Sequence, residues 1–238
     1  GDYLNSEEVI KFIDYTLLDP HITNQEIEEF CNKARTYSPA AICIFPEKIR
    51  VAKKFLDSEI PVAAVVGSFP VGSNDCNEIK REIISAINLG ADEIDIVIEP
   101  RDADDYPNET ELEKLITMRN TSKGKILKVI IETPLLNERK IRAITRMALA
   151  AGVDFVKTCT GKRGSCSAKD VKIISYELMR HELTFNEKLG MKISGGIKDK
   201  KTIIEFIDII NKEDKNIILE KRFRIGTSSL IDKLLTTQ

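Results

Sequence analysis

An α/β chain closed into a single-domain (β/α)8 TIM barrel over residues 1–238 is the fold that three features of the sequence predict. Short β-branched runs alternate with longer amphipathic stretches along the whole chain. No long Pro/Gly linker divides them. The length, 238 residues, suits one barrel domain. A doubly wound sheet is the main rival, but no glycine-rich dinucleotide fingerprint follows an early strand. Gly67-Ser68-Phe69-Pro70-Val71-Gly72 lacks the spacing of a Rossmann loop or a Walker motif.

The elements follow in order. Leu4 to Lys11 reads as a short helix and Phe12 to Asp14 as the first strand. Thr23 to Arg35 has a helical period, with Thr23 and Asn24 as candidate caps. Ala40 to Ile44 is the second strand. Pro46 opens a helix that runs to Ser58, and Val62 to Val66 is the third strand. Ile79 to Asn88 is helical and ends at Gly90. Glu93 to Ile98, Ile126 to Ile131 and Asp154 to Lys157 are the fourth, fifth and sixth strands. Helices over Glu111 to Thr121 and Asn137 to Ala150 separate them. Lys169 to Leu183 is helical, Met191 to Ile193 is the seventh strand, Thr202 to Ile210 is a helix, and Phe223 to Ile225 is the eighth strand. Asn216 to Glu220 is also strand-like and competes for a place in the sheet.

Composition narrows the function. The chain is 42% hydrophobic and 31% charged, which suits a soluble protein with a sizeable core. Lys plus Arg total 36 against 38 Asp plus Glu, a net charge of -2, so nothing draws the molecule to nucleic acid or to an anionic membrane. No apolar run reaches membrane-spanning length, and no signal-peptide pattern is expected at the start. Cys31, Cys43, Cys76, Cys159 and Cys166 have no paired metal spacing and read as reduced cytosolic thiols. With only His21 and His181, no histidine-rich metal centre is expected.

In a barrel the strand ends collect the chemistry. Asp14, Cys43, Asp95, Glu132, Lys157 and Lys192 are all assigned late positions in short apolar strands. Phe155 and Lys157 share one strand face; pointed inward, the Lys157 amine reaches a poorly solvated pocket where desolvation disfavours the ammonium. A free amine is what carbonyl addition requires. The alternative is a lysine that reaches out to solvent from the strand edge. Lys192 closes the next strand, about 5 Å away, and two inward lysines oppose each other's protonation. Asp95 either moves protons between them or forms a structural ion pair. Lys128 has inward parity and an early position, suggesting a structural place deeper in the barrel. Glu132 either joins that network or holds a loop. Asp92 and Glu93 are expected at the strand entrance, in solvent. Ser194-Gly195-Gly196 and Gly226-Thr227-Ser228-Ser229 follow the last two strands, where barrels often bind phosphate on backbone N–H groups. Lys162 and Arg224 are expected to add charge there; otherwise the glycines only make turns. Thr16 and Asp19 cap or shape the loop after the first strand. Cys43 reads equally as core filling, and the spacing of Cys159 and Cys166 does not make a redox pair.

Taken in order, these fragments resemble the deoxyribose-phosphate aldolases, a family of class I, Schiff-base aldolases. The resemblance runs from Asp14-Tyr15-Thr16-Leu17-Leu18 through Gly90-Ala91-Asp92-Glu93-Ile94-Asp95, Lys128-Val129-Ile130-Ile131-Glu132-Thr133, Phe155-Val156-Lys157-Thr158 and Lys192-Ile193-Ser194-Gly195-Gly196 to Arg224-Ile225-Gly226-Thr227-Ser228-Ser229. It implies reversible cleavage of 2-deoxy-D-ribose 5-phosphate to D-glyceraldehyde 3-phosphate and acetaldehyde. Lys157 matches the Schiff-base lysine, Lys192 the lysine that tunes it and Asp95 the proton-relay aspartate. Asp14 and Cys43 match positions lining the site, and Thr160 and Lys162 lie in the loop beside the reactive lysine. Gly195, Gly196, Gly226, Ser228 and Ser229 fall in the phosphate-holding region. The resemblance further implies no metal or other cofactor, a small phosphorylated sugar as substrate, cytoplasmic deoxyribonucleoside breakdown and a possible homodimer. Tyr15, Cys159 and Ile193 depart from the family's usual histidine, serine and small residue, and are expected to reshape the pocket; the Glu99-Pro100-Arg101-Asp102 loop is expected to alter access. Two alternatives remain: another Schiff-base sugar-phosphate aldolase or transaldolase, and a silent phosphometabolite-binding barrel.

Overall fold

Successive residues of a strand face opposite sides of a barrel wall, and this chain uses the two parities to build two different interiors. The computed structural model describes residues 4–236; residues 1–3 and the tail at 237–238 lie outside the described residues. Eight parallel strands close in sequence order: β1 (Ile13–Leu17), β2 (Ala41–Ile44), β3 (Val62–Val66), β4 (Glu93–Val97), β5 (Ile126–Ile130), β6 (Phe155–Lys157), β7 (Gly190–Ile193) and β8 (Phe223–Thr227). β8 pairs back onto β1 through Ile13 with Ile225 and Asp14 with Gly226. The helices are α1 (Ser6–Ile10), α2 (Asn24–Tyr37), α3 (Ile49–Phe55), α4 (Cys76–Leu89), α5 (Glu109–Thr121), α6 (Glu138–Ala150), α7 (Ala168–Phe185), α8 (Lys200–Glu213) and α9 (Leu230–Thr236). No helix among the described residues is long and apolar enough to cross a membrane.

The outward parity, including Ile42, Ile94, Ile96, Val129, Met191 and Ile225, packs under the helices as one apolar core. The inward parity is different. Cys43, Ala63 and Val65 form a separate small apolar cluster, and the barrel's interior also holds the buried charges Asp14, Glu93, Asp95, Lys128, Lys157, Lys192 and Arg224. Helix starts follow local chemistry. Thr23 with Glu26, Asn108 with Glu111 and Ser167 with Asp170 form reciprocal capping boxes, each cap contributing about 1 kcal/mol. Gly90, at φ +115°, closes α4 in the left-handed conformation that glycine adopts without strain.

Three expected boundaries shift. β1 runs to Leu17, because Thr16 and Leu17 pair with Cys43 and Ile44; Asp14 is therefore an early strand residue, not a late one. The segment after Pro46 is a 3-10 turn (Pro46–Lys48) followed by α3, which ends at Phe55. Asn216 to Glu220 forms turns instead of a strand. Ile217 anchors it in the core, and the Arg222 guanidinium donates to the Asn216 carbonyl at 3.1 Å, folding the segment back on itself.

Candidate active site

Strand register brings the inward charges together. Asp95 pairs with Lys128 across β4 and β5, Lys157 with Lys192 across β6 and β7, and Lys192 with Arg224 across β7 and β8. Their side chains form a closed ring of alternating charge. Asp95 Oδ2 lies 2.9 Å from Lys192 Nζ, and Lys192 Nζ lies 2.7 Å from Asp14 Oδ2. Asp14 Oδ1 accepts from Arg224 Nη1 at 2.8 Å. Arg224 donates both terminal nitrogens to Glu93, at 2.8 and 2.9 Å. Glu93 Oε1 lies 2.7 Å from Lys128 Nζ, which returns to Asp95 Oδ1 at 3.1 Å and reaches Asp14 Oδ2 at 2.6 Å. Lys157 hangs from this ring by one contact, Nζ to Asp95 Oδ2 at 3.0 Å.

The ring is charge-balanced without Lys157. Three buried carboxylates (Asp14, Glu93, Asp95) face three buried cations (Lys128, Lys192, Arg224). A proton on Lys157 would leave a net positive charge in a water-poor interior, where unpaired charge is costly. The titration behaviour follows. Burial and the Lys192 ammonium lower the Lys157 pKa below its ordinary 10.5, against the opposing pull of Asp95. The single carboxylate touching Lys157 is already shared by two other ammonium groups, so this pair holds the proton poorly. Lys192 moves the other way. Burial disfavours its charge, but Asp14 and Asp95 outweigh it and the pKa rises. Burial alone would raise Asp95 and Asp14; Lys128 and Lys192 act on both, joined by Lys157 at Asp95 and Arg224 at Asp14, and keep them far below the usual carboxylate range.

Above the ring, at the C-terminal ends of the strands, lies a cleft of about 400 Å³. Of Lys128, Lys157 and Lys192, only Lys157 lines it. Thr160, Lys162, Gly195, Gly196, Gly226, Ser228 and Ser229 all lie on its wall, as expected. Gly195 and Gly196 have φ +94° and +74°, and such consecutive turns present backbone N–H groups to an anion. A methyl on Gly196 would collide with the Ser165 side chain, and one on Gly226 would come 3.0 Å from Lys192 Cε. Glu132 lies just past β5 in a left-handed conformation (φ +57°). It accepts from Thr160 N at 3.0 Å, Thr160 Oγ1 at 2.7 Å and Arg163 Nε at 2.9 Å. That clamp sets the loop after Lys157; Lys162 then reaches across the mouth to the Leu18 carbonyl at 2.7 Å. Thr16 and Asp19 shape the opposite loop, Thr16 Oγ1 donating to the Asp14 carbonyl and Asp19 Oδ1 accepting from His21 N.

Several expected positions differ. Asp14 and Cys43 are fully buried and neither lines the cleft. Asp14 supports Lys192 from below, and Cys43 packs with Ala63 and Val65, its thiol pKa raised by burial. Glu93 is buried, because its parity with Asp95 turns it inward, and Lys128 and Arg224 neutralise it. Arg224 is inside the barrel over the Phe155 ring, centroid distance 5.3 Å, and not at the loops. Tyr15 and Ile193 have outward parity and lie in the helix-facing core, Tyr15 stacked on Phe30 at 4.1 Å, so neither reshapes the pocket directly. Arg101 is tied to Glu111 and Asn108, away from the cleft wall. Ser194, in the loop expected to bind phosphate, lines the cleft, and so does Lys198, which was not singled out; its place after the seventh strand was the available signal. Arg163, which ties Glu132 to the Pro70 carbonyl at 2.6 Å, carries no local signature. Among the described residues no group of three His, Cys, Asp or Glu side chains could hold a metal ion.

The chain is similar to known proteins in sequence and in fold. The sequence model of the DeoC/LacD family aldolases matches residues 8–213. The chain is similar to the deoxyribose-phosphate aldolase of Clostridium tetani, 40% identical over 205 residues that cover 84% of this chain and 91% of the relative. It is also similar to that of Caldicellulosiruptor saccharolyticus, 36% identical over 231 residues covering 95% and 96%. Among solved structures it matches an aldolase named QR15 at TM-score 0.79 and 30% identity, over 96% of each chain. A tetrameric deoxyribose phosphate aldolase from Aeropyrum pernix shares the fold at TM-score 0.75 and 22% identity, over 98% of this chain and 94% of that one.

Proposed function

The chain belongs to the DeoC/LacD family of aldolases, and we propose that it reversibly cleaves 2-deoxy-D-ribose 5-phosphate to D-glyceraldehyde 3-phosphate and acetaldehyde through a Schiff base on Lys157. The observation that carries the assignment is the position of Lys157: the lysine left over from a balanced ring is also the one at the cleft wall. It is buried, its pKa is lowered and it faces the space where an aldehyde enters.

The amine attacks C1 of the open-chain sugar phosphate, and the carbinolamine loses water to give an iminium ion. The C3 hydroxyl loses its proton, the C2–C3 bond breaks and its electron pair moves into the iminium, leaving an enamine. Glyceraldehyde 3-phosphate departs. The enamine takes a proton at C2, and water hydrolyses the new iminium to acetaldehyde and free Lys157. Asp95 and Lys192, with an ordered water, handle the protons. Forming the iminium places a positive charge beside the Asp95 carboxylate, 3.0 Å from Lys157 Nζ, which offsets it. The Gly195-Gly196 and Gly226–Ser229 loops, with Lys162, hold the phosphate and fix the reacting carbons over the amine. Family membership also supports work in cytoplasmic deoxyribonucleoside breakdown, as a homodimer.

Borohydride added during turnover should reduce the imine and leave a two-carbon or sugar-phosphate adduct on Lys157, located by peptide mass analysis. An adduct on another lysine, or none on an active sample, defeats the assignment. Release of glyceraldehyde 3-phosphate with acetaldehyde, and not a dihydroxyacetone donor, separates this reaction from those of other Schiff-base aldolases.

A further inference from the structure

Glu93 and Arg224 touch neither Lys157 nor the cleft, yet they complete the balance of the ring. Glu93 is 2% exposed and Arg224 7%. The guanidinium forks onto Glu93 and also holds Asp14; Glu93 in turn holds Lys128. Both therefore fix the carboxylates and ammonium groups that surround the reactive amine. We propose that Glu93 and Arg224 are charge-setting residues of this enzyme: as an opposed pair they close the ring at net zero and so set the pH at which Lys157 becomes the uncharged nucleophile, Arg224 lowering it and Glu93 raising it, although neither touches substrate. The proposal rests on Lys157 being the Schiff-base lysine.

The groups facing Lys157 leave this balance exposed to change at either end. Around it stand Asp14 on β1, Cys43 on β2, Asp95 on β4, Lys128 on β5 and Lys192 on β7. On the cleft side, Asp19, Lys162 and Lys198 are reached by water and are screened. Inside the barrel the ring is buried, so a missing charge is screened far less. Removing Arg224 leaves the ring at minus one, which favours a proton on Lys157. Removing Glu93 leaves it at plus one, which disfavours that proton. A unit charge lost from a buried cluster moves a neighbour's pKa by about one unit, or about tenfold in amine fraction on the acid side.

The test is the pH dependence of kcat/KM and of the borohydride trapping rate, which report the free enzyme's amine. Trapping on Lys157 in the parent enzyme comes first and stands or falls separately. With it in hand, Arg224→Gln should move the acid limb up by about one pH unit, and Glu93→Gln should move it down. The Glu93→Gln/Arg224→Gln double variant should return it to the parent position, and Arg224→Lys, which keeps the charge but loses the fork, should leave it there. A role confined to packing would lower stability without moving the limb. Unmoved limbs in both single variants, or shifts of the same sign, overturn the proposal. If a single variant does not fold, the double variant decides: a limb at the parent position supports charge balance, and a displaced one overturns it.

Discussion

At the residue scale, burial and the Lys192 ammonium disfavour the charged form of Lys157. Its folded-state pKa is lowered from 10.5. Between the lowered value and 10.5 the unfolded chain binds more protons than the folded one, so this group's contribution to stability rises with pH and is least favourable at acid pH. Lys157→Met keeps the ring balanced and removes the titrating group. Its turnover should fall by at least about 10³-fold, since the nucleophile is gone. Its melting temperature should be no lower than the parent's at neutral pH, with any gain growing toward acid pH; thermal unfolding followed by circular dichroism checks this. A collapse in stability would mean that the Lys157–Asp95 contact is structural. The inward lysines and Asp95 were legible from strand parity. Glu93 shares that parity, and the charged run Asp92-Glu93 concealed it. Arg224 was legible as a strand residue, but nothing local announced that its partner lies on the opposite side of the barrel, on β4.

At the scale of elements, strand-end loops divide the work. The loop after β6 is held by Glu132, the loop after β7 turns through two left-handed glycines and the loop after β8 completes the wall. Glycine at 196 is required twice, by its φ of +74° and by the Ser165 side chain in the way of any Cβ. Gly196→Ala should therefore shift the N–H groups of this turn, raising KM for the phosphorylated sugar by about tenfold while changing kcat/KM for a non-phosphorylated analogue little or not at all. Steady-state kinetics with both substrates distinguishes this from general loosening, which would harm both alike. Capping residues and closing glycines made most helices legible to within a few residues. β1 was shortened because Asp14 and Thr16 interrupt its apolar run, although Ile13, Tyr15 and Leu17 keep the alternation of a strand with one charged face.

For the whole molecule, the barrel's interior sets the pH range of stability. Asp14 and Asp95 are folded-state carboxylates with depressed pKa values. Their contribution is fully present above the unfolded value of 3.8 and is lost as pH falls below it toward the folded values. Lys128 and Lys192 are raised, so theirs is present below 10.5 and lost as pH climbs through the folded values. Far-ultraviolet circular dichroism should show a plateau between these limits, with acid unfolding starting below about pH 4. Unfolding that begins above pH 5 would contradict the depressed carboxylates. By itself the sequence determined the alternation of strand and helix, the strand faces that Lys128, Lys157 and Lys192 share with their neighbours, and the glycine loops after the last two strands, because each depends on neighbours a few residues apart. Only the tertiary structure decided that Glu93 and Arg224 belong with them and that Asp14 holds Lys192 from within the barrel, because closing eight strands brings β1, β4 and β8 together around one axis, and charge balance is a property of that axis and of no single segment.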